Sequence, residues 1–170
     1  IGVGGIMGGL DSEISDATTT VALEMAWFSL VGIGQTVTRT NLRSEASSRF
    51  ERGVDPHGMP NAVLRFAELL SETCPDLVVH AGGADAQSDF LPAAERSVDV
   101  RVGAVNRLLG TDFIADDLPA LLDPIGYTVS GVGDTRSVVL PTWRLDSTDE
   151  VDVIEEVARH HGYEKLGKSV

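Results

Sequence analysis

Residues 136–162, RSVVLPTWRLDSTDEVDVIEEVARHHG, pass from strand to helix within one stretch. Arg136–Leu140 reads as a strand, paired with Tyr127–Val132 through a hairpin around GVGDT, residues 131–135. PTWRLD breaks the pattern. A helix then runs from about Asp149 to His161 and stops at Gly162. Val151, Ile154, Val157 and Ala158 form its expected buried face, with Asp152, Glu155 and Glu156 opposite. Upstream, Ser97–Val102 alternates as a strand. VNRLLG then reads as a helix ended by Gly110, and a further helix covers Ala115–Ile125 before Gly126. Short strands among separate helices give an α+β class, here a small helical module with a short antiparallel sheet.

The first half opens differently. IGVGGIMGG, residues 1–9, reads as a glycine-rich strand with a turn, and it lacks an initiator Met, so a piece of a longer chain is expected. VALEMAWF, residues 21–28, has clean period-two alternation and is expected to be a strand. Helices are expected over 29–40, from near Ser44 to Gly53, and from Pro56 onward, the last with a stripe of Ala62, Phe66, Leu69 and Leu70. LVVHAGG, residues 77–83, reads as another strand. Together these predict part of an α/β-layer module, a mixed sheet with packed helices. ADAQSDFLPAAER, residues 84–96, is small and polar around a proline. The first module is therefore placed at 1–86, a linker at 87–96 and the second module at 97–168.

Composition excludes several classes. The 170 residues carry 26 Asp plus Glu against 13 Lys plus Arg, a net charge of −13. That balance opposes a general nucleic-acid binder, which needs surplus cations to neutralise phosphate. All five basic residues of the first half nevertheless fall between Arg39 and Arg65, a local patch suited either to phosphate contact or to ion pairs with Glu45, Glu51 and Asp55. No apolar run approaches the ~20 residues of a membrane span. The one cysteine, Cys74, has no internal disulfide partner, which fits a reducing compartment. The glycines follow neither a dinucleotide fingerprint nor a P-loop.

Two groups of residues carry candidate chemistry. Asp146, Asp149, Glu150, Asp152, Glu155 and Glu156 put six carboxylates into eleven residues. Oxygen ligands without Cys or His suit Mg²⁺ or Ca²⁺, and the same acids suit plain solvation near a helix N-terminus. Glu24 lies between Ala22 and Ala26 on one strand face, beside the glycines of the opening ribbon. It reads either as the acceptor of a small pocket or as an edge-strand residue facing water.

In one order the chain carries GGIMGG (4–9), VALEMAWF (21–28), SEASSRFERGVDP (44–56), VNRLLG (105–110), PTWRLD (141–146) and DVIEEVARHHGYEKL (152–166). This series resembles the β subunits of bacterial phenylalanyl-tRNA synthetases over nearly the whole chain. The resemblance implies the later part of the editing module, called B-three/B-four, followed by the B-five module. It implies post-transfer editing, the hydrolysis of tyrosine wrongly esterified to tRNA(Phe). A synthetic pocket rejects an added hydroxyl by only about 10², so a second pocket that recognises it is useful. By the same resemblance the family's phenol-reading glutamate falls on Glu24, its pocket glycines on Gly5 and Gly8, and its small helix-start residues on Ser44, often Thr, and Ala46. Other pocket residues, a histidine among them, fall before Ile1, so little activity is expected from these residues alone. Asp146, Asp152, Glu155 and Glu156 match acids that hold Mg²⁺ at the contact with the α subunit. That subunit carries the aminoacyl-adenylate site, so ATP is expected to bind outside this chain. The implied partners are the α subunit and tRNA(Phe), in the cytoplasm, without DNA or membrane; Arg43 and Arg49 of the local arginine patch are the candidate tRNA contacts. The alternative is a non-catalytic module for RNA contact and subunit interaction.

Overall fold

The computed structural model describes residues 2–167; the first residue of the expected opening strand and the last of the expected second module lie outside that range. The chain divides between Pro92 and Ala93 into two compact units. Both helices and small antiparallel sheets are present, an α+β fold.

In the first unit, β1 (Gly2–Val3) and β2 (Met7–Gly8) form an antiparallel ribbon with Gly2 opposite Gly8. The turn needs Gly5. Its φ is +70°, and a Cβ there would lie 2.6 Å from Ile33 Cδ1 and 2.8 Å from Phe28 Cδ2. Ile6 follows and is buried with Ile33 and Val37 of α1 (Leu30–Thr40), against Phe28 and Phe50. The two phenylalanine rings meet edge to face at 5.0 Å. Helix α1 begins where Ser29 Oγ accepts from Gly32 N–H and ends at Asn41 in the left-handed region. Helix α2 (Glu45–Phe50) begins at Ser44, whose side chain and that of Ser47 cap each other's backbone N–H.

Five expectations for this unit fail. Residues 21–28 are not a strand, and neither are 77–83. Alternation assigns faces, but a strand also needs a partner to complete its hydrogen-bond ladder, and none of the described residues supplies one. Val21, Leu23, Val78 and Val79 are exposed as a result. The expected mixed sheet is correspondingly only the β1–β2 ribbon among the described residues. Helix α3 (Met59–Thr73) starts at Met59 rather than Pro56, because Asp55 Oδ1 accepts from His57 N–H and Gly58 caps the helix. No α3 residue is fully buried, and Phe66 and Leu69 of the expected apolar stripe are exposed.

In the second unit, β3 (Arg96–Arg101) and β4 (Thr128–Ser130) flank β5 (Thr135–Leu140), all antiparallel. Helix α4 (Val102–Leu109) follows β3 directly and stops at Gly110, φ +68°. The expected 115–125 helix is interrupted. It consists of α5 (Leu118–Leu122) between two 3₁₀ turns, Ala115–Asp117 and Asp123–Ile125, and Pro119 and Pro124 each begin a new segment because they donate no backbone hydrogen bond. Helix α6 (Glu150–His161) packs Val153, Ile154 and Val157 into a core with Val100, Val105, Leu118, Leu122, Tyr127 and Val138.

The face of α6 differs from the expected one. Val151 is exposed at 59%, Val153 takes its place in the core, and Glu156 is only 2% exposed. The three acids therefore do not share a solvent face. The 141–148 loop before α6 is tied to β3 by Arg96, whose guanidinium donates to the carbonyls of Pro141, Arg144 and Ser147 at 3.3, 2.9 and 3.2 Å. Inside it, Tyr127 Oη and Ser147 Oγ are hydrogen-bonded at 2.7 Å, both buried.

Candidate functional site

The residues proposed for the first unit fall into two sets. Gly5 and Ser44 lie on either side of Ile6. Ser44 Oγ donates to Ile6 O at 2.5 Å and accepts from Ser47 N–H at 3.1 Å, so the cap of α2 also grips the ribbon. Gly5 is filled in by Ile33 and Phe28 and leaves no room for a ligand. Gly8 is the opposite case: a Cβ there would meet nothing within 4 Å. An open depression of about 400 Å³ runs beside Gly8, Gly9, Leu10, Ser12 and Glu13. Ala46 is exposed on the first turn of α2.

Glu24 belongs to neither arrangement. It is exposed, has no hydrogen-bond or ion-pair partner among the described residues, and does not line the depression at Gly8. Its flanks differ from each other as well, with Ala22 exposed and Ala26 half-buried.

Arg43 and Arg49 are engaged in ion pairs. Arg43 makes a two-pronged contact to Glu51, at 2.9 and 3.1 Å, and Arg49 reaches Glu45 at 3.5 Å. These exposed pairs contribute little to stability and leave both guanidinium groups accessible. Among the described residues, Arg39 and Arg52 form no ion pair.

The acids of the second unit are held by cations of the same chain. Arg144 Nε and Nη2 donate to Asp146 at 2.9 and 3.0 Å, and Nη2 also donates to Glu156 Oε1 at 2.8 Å. Arg159 reaches Glu155 at 2.9 Å and Glu156 at 3.3 Å. Hydrogen bonds from Arg144 hold the Asp146 carboxyl below its usual range. Asp152 has a separate role. Its Oδ2 accepts from the backbone N–H of Thr148 and Asp149, at 2.8 and 2.9 Å, and these bonds lower its pKa. Glu150, which the sequence did not single out for a role of its own, receives Arg101 from β3 through both the backbone and the guanidinium.

As a magnesium site this arrangement has suitable donors, carboxylate oxygens, but not their convergence. Among the described residues no three Asp, Glu, His or Cys side chains converge to hold a metal. Asp146 and Glu156 share an arginine, and Asp152 serves the start of α6. The residues of this chain do not fit the ion by themselves. Arg144 and Arg159 were readable as their partners: Arg159 follows Glu155 and Glu156 at helical spacing, and Arg144 precedes Asp146 by two.

Two domain families match this chain. Residues 1–75 match the B3/4 domain and residues 98–163 the tRNA synthetase B5 domain. The phenylalanine–tRNA ligase beta subunit of Salinibacter ruber is 39% identical over 166 residues, covering 98% of this chain and 20% of that protein. That of Rhodopirellula baltica is 40% identical, covering 98% and 24%. That of Corynebacterium glutamicum is 41% identical, covering 95% and 19%. The chain thus spans about a fifth of the length of the relatives it matches. It carries a B3/4 domain followed by a tRNA synthetase B5 domain, and over nearly its whole length it is about two-fifths identical to one stretch of these phenylalanine–tRNA ligase beta subunits.

Proposed function

We propose that this chain contributes to a ligase that charges tRNA(Phe) and clears tyrosine wrongly attached to it. The first unit supplies part of the clearing pocket. The second supports the catalytic module on the alpha subunit, which uses ATP, in the cytoplasm. The observation that carries this reading is Gly8. It faces open space on a ribbon whose turn is filled by Ile33 and Phe28, so a ligand can approach the backbone there. The exposed Ala46 keeps the start of α2 equally free of bulk.

In this reading Glu24 accepts a hydrogen bond from the phenol of tyrosine, a group phenylalanine lacks. The nucleophile is water: it adds to the ester carbonyl, and the terminal ribose oxygen leaves with a proton. No side chain of this chain serves as nucleophile. Asp146 and Glu156 would hold magnesium only if Arg144 released them and the alpha subunit added further oxygen donors, and no step of this reading runs through the ion.

The test is Glu24→Ala in the full-length beta subunit co-expressed with its alpha partner. Tyr-tRNA(Phe) is expected to accumulate; unchanged clearance would remove Glu24 from the mechanism. The exposure of Glu24 favours a second reading, a non-catalytic module for RNA contact and subunit interaction. It requires salt-dependent tRNA binding that weakens in Arg43→Ala or Arg49→Ala, without hydrolysis.

A further inference from the structure

We infer that Ser44 is a positioning residue of the pocket, acting through Ile6 on the glycine ribbon rather than on substrate. The inference rests on the editing function proposed above and specifies how one of its residues works.

A serine hydroxyl has one proton to donate. In Ser44 that proton goes to Ile6 O at 2.5 Å. The same oxygen accepts from Ser47 N–H at 3.1 Å. The backbone of Ser44 is held as well: its N–H donates to Ser47 Oγ at 2.9 Å, and its carbonyl accepts from the hydroxyls of Ser47 and Ser48, each at 2.9 Å. Ser47 is fully buried. The side chain of Ser44 therefore joins two elements 38 positions apart in sequence.

What it grips is the fixed point of the ribbon. Ile6 is 2% exposed, its N–H donates to Val3 O at 3.0 Å, and its side chain packs on Ile33 and Val37. Gly5 precedes it in a conformation only glycine adopts easily, and Gly8 follows two residues on, beside open space. Pinning Ile6 O sets where the backbone of Met7 and Gly8 lies relative to Ala46 at the start of α2. A hydroxyl used in this way has no proton left for a substrate.

Substitutions separate its two bonds. Ser44→Asp keeps an acceptor for Ser47 N–H and lacks a donor for Ile6 O. Ser44→Thr keeps both, and Ser44→Ala lacks both. In the full-length beta subunit with its alpha partner, two quantities are read: amide hydrogen exchange at residues 6–8, and kcat and KM for Tyr-tRNA(Phe) hydrolysis. Ser44→Asp is expected to raise exchange at 6–8 about tenfold with α2 still protected. Its kcat should fall by a similar factor while KM stays within twofold, and Ser44→Thr should restore both. If Ser44→Asp leaves exchange at 6–8 unchanged, or raises KM alone, the hydroxyl does not act through the ribbon and the inference is overturned. If the unmodified enzyme does not hydrolyse Tyr-tRNA(Phe), the proposed function fails, and the exchange measurement still decides whether Ser44 holds the ribbon.

Discussion

Arg144 and Glu156 form an ion pair of 2.8 Å in which the carboxylate is 2% exposed and the guanidinium side chain 21%. Arg144 reaches from the loop before α6 to the middle of that helix. A charge so deeply placed is tolerated only with partners, and Arg159 at 3.3 Å is the second.

Removing one partner of such a pair leaves the other uncompensated. Arg144→Ala is expected to destabilise the second unit by about 3 kcal/mol, the lower end for a broken buried pair, because Arg159 remains. Glu155→Ala, which removes only an exposed contact to Arg159, should cost less than about 1 kcal/mol. Urea unfolding followed by far-UV circular dichroism measures both. Equal losses would show that burial of Glu156 does not govern the energetics.

Gly5 and Gly8 are expected to differ on substitution although both sit in the ribbon. Gly5→Ala meets Ile33 and Phe28 side chains and a φ of +70°, so a loss above about 1 kcal/mol is expected. Gly8→Ala meets nothing within 4 Å and should leave stability within about 0.5 kcal/mol while narrowing the approach to the ribbon. Thermal unfolding of the two variants settles the order, and a more damaging Gly8→Ala would contradict the packing described.

The lowered pKa of Asp152 gives a pH dependence of known sign. Its charged form is favoured when folded, since it accepts the N–H groups of Thr148 and Asp149. The stability it adds is complete above the ordinary carboxylate value of 3.8 and is lost as the pH falls through the lower folded value. Asp152→Asn should therefore be less stable than the unmodified chain at pH 7, with the gap closing below about pH 4. A constant gap from pH 7 to pH 3 would rule out this linkage.

Magnesium should bind this chain poorly. Titration calorimetry is expected to show no saturable heat below millimolar Mg²⁺, because arginine already neutralises Asp146, Glu155 and Glu156. A single-site isotherm in the micromolar range would mean that the ion displaces Arg144 without help from another chain.

The order of strands and helices in the second unit was legible in the sequence. Gly110, Gly126 and Gly162 end helices or turns with the positive φ that glycine favours, and the hairpin strands meet in the anticipated pairing. These signals are local, so a short window contains them. The strands expected over 21–28 and 77–83 failed because pairing is a relation between distant segments, which alternation within one segment does not report. The helix phase of α6 misled for a related reason. Hydrophobicity put Val151 inside and Glu156 outside, but Glu156 is accommodated by Arg144, a partner outside the helix. In the candidate pocket, Ser44 was identified through family likeness, while its bond to Ile6 depends on a fold that brings residues 6 and 44 together.

The clasp of Arg96 on three carbonyls bears on the order of assembly. Its partners lie 45, 48 and 51 residues downstream, and Arg96 faces Leu140 only after β3 has aligned with β5. The acid-bearing loop therefore has no template until the sheet exists, so it sets late and loosens early. Arg96→Ala should accelerate the unfolding limb of a chevron plot far more than it slows the refolding limb.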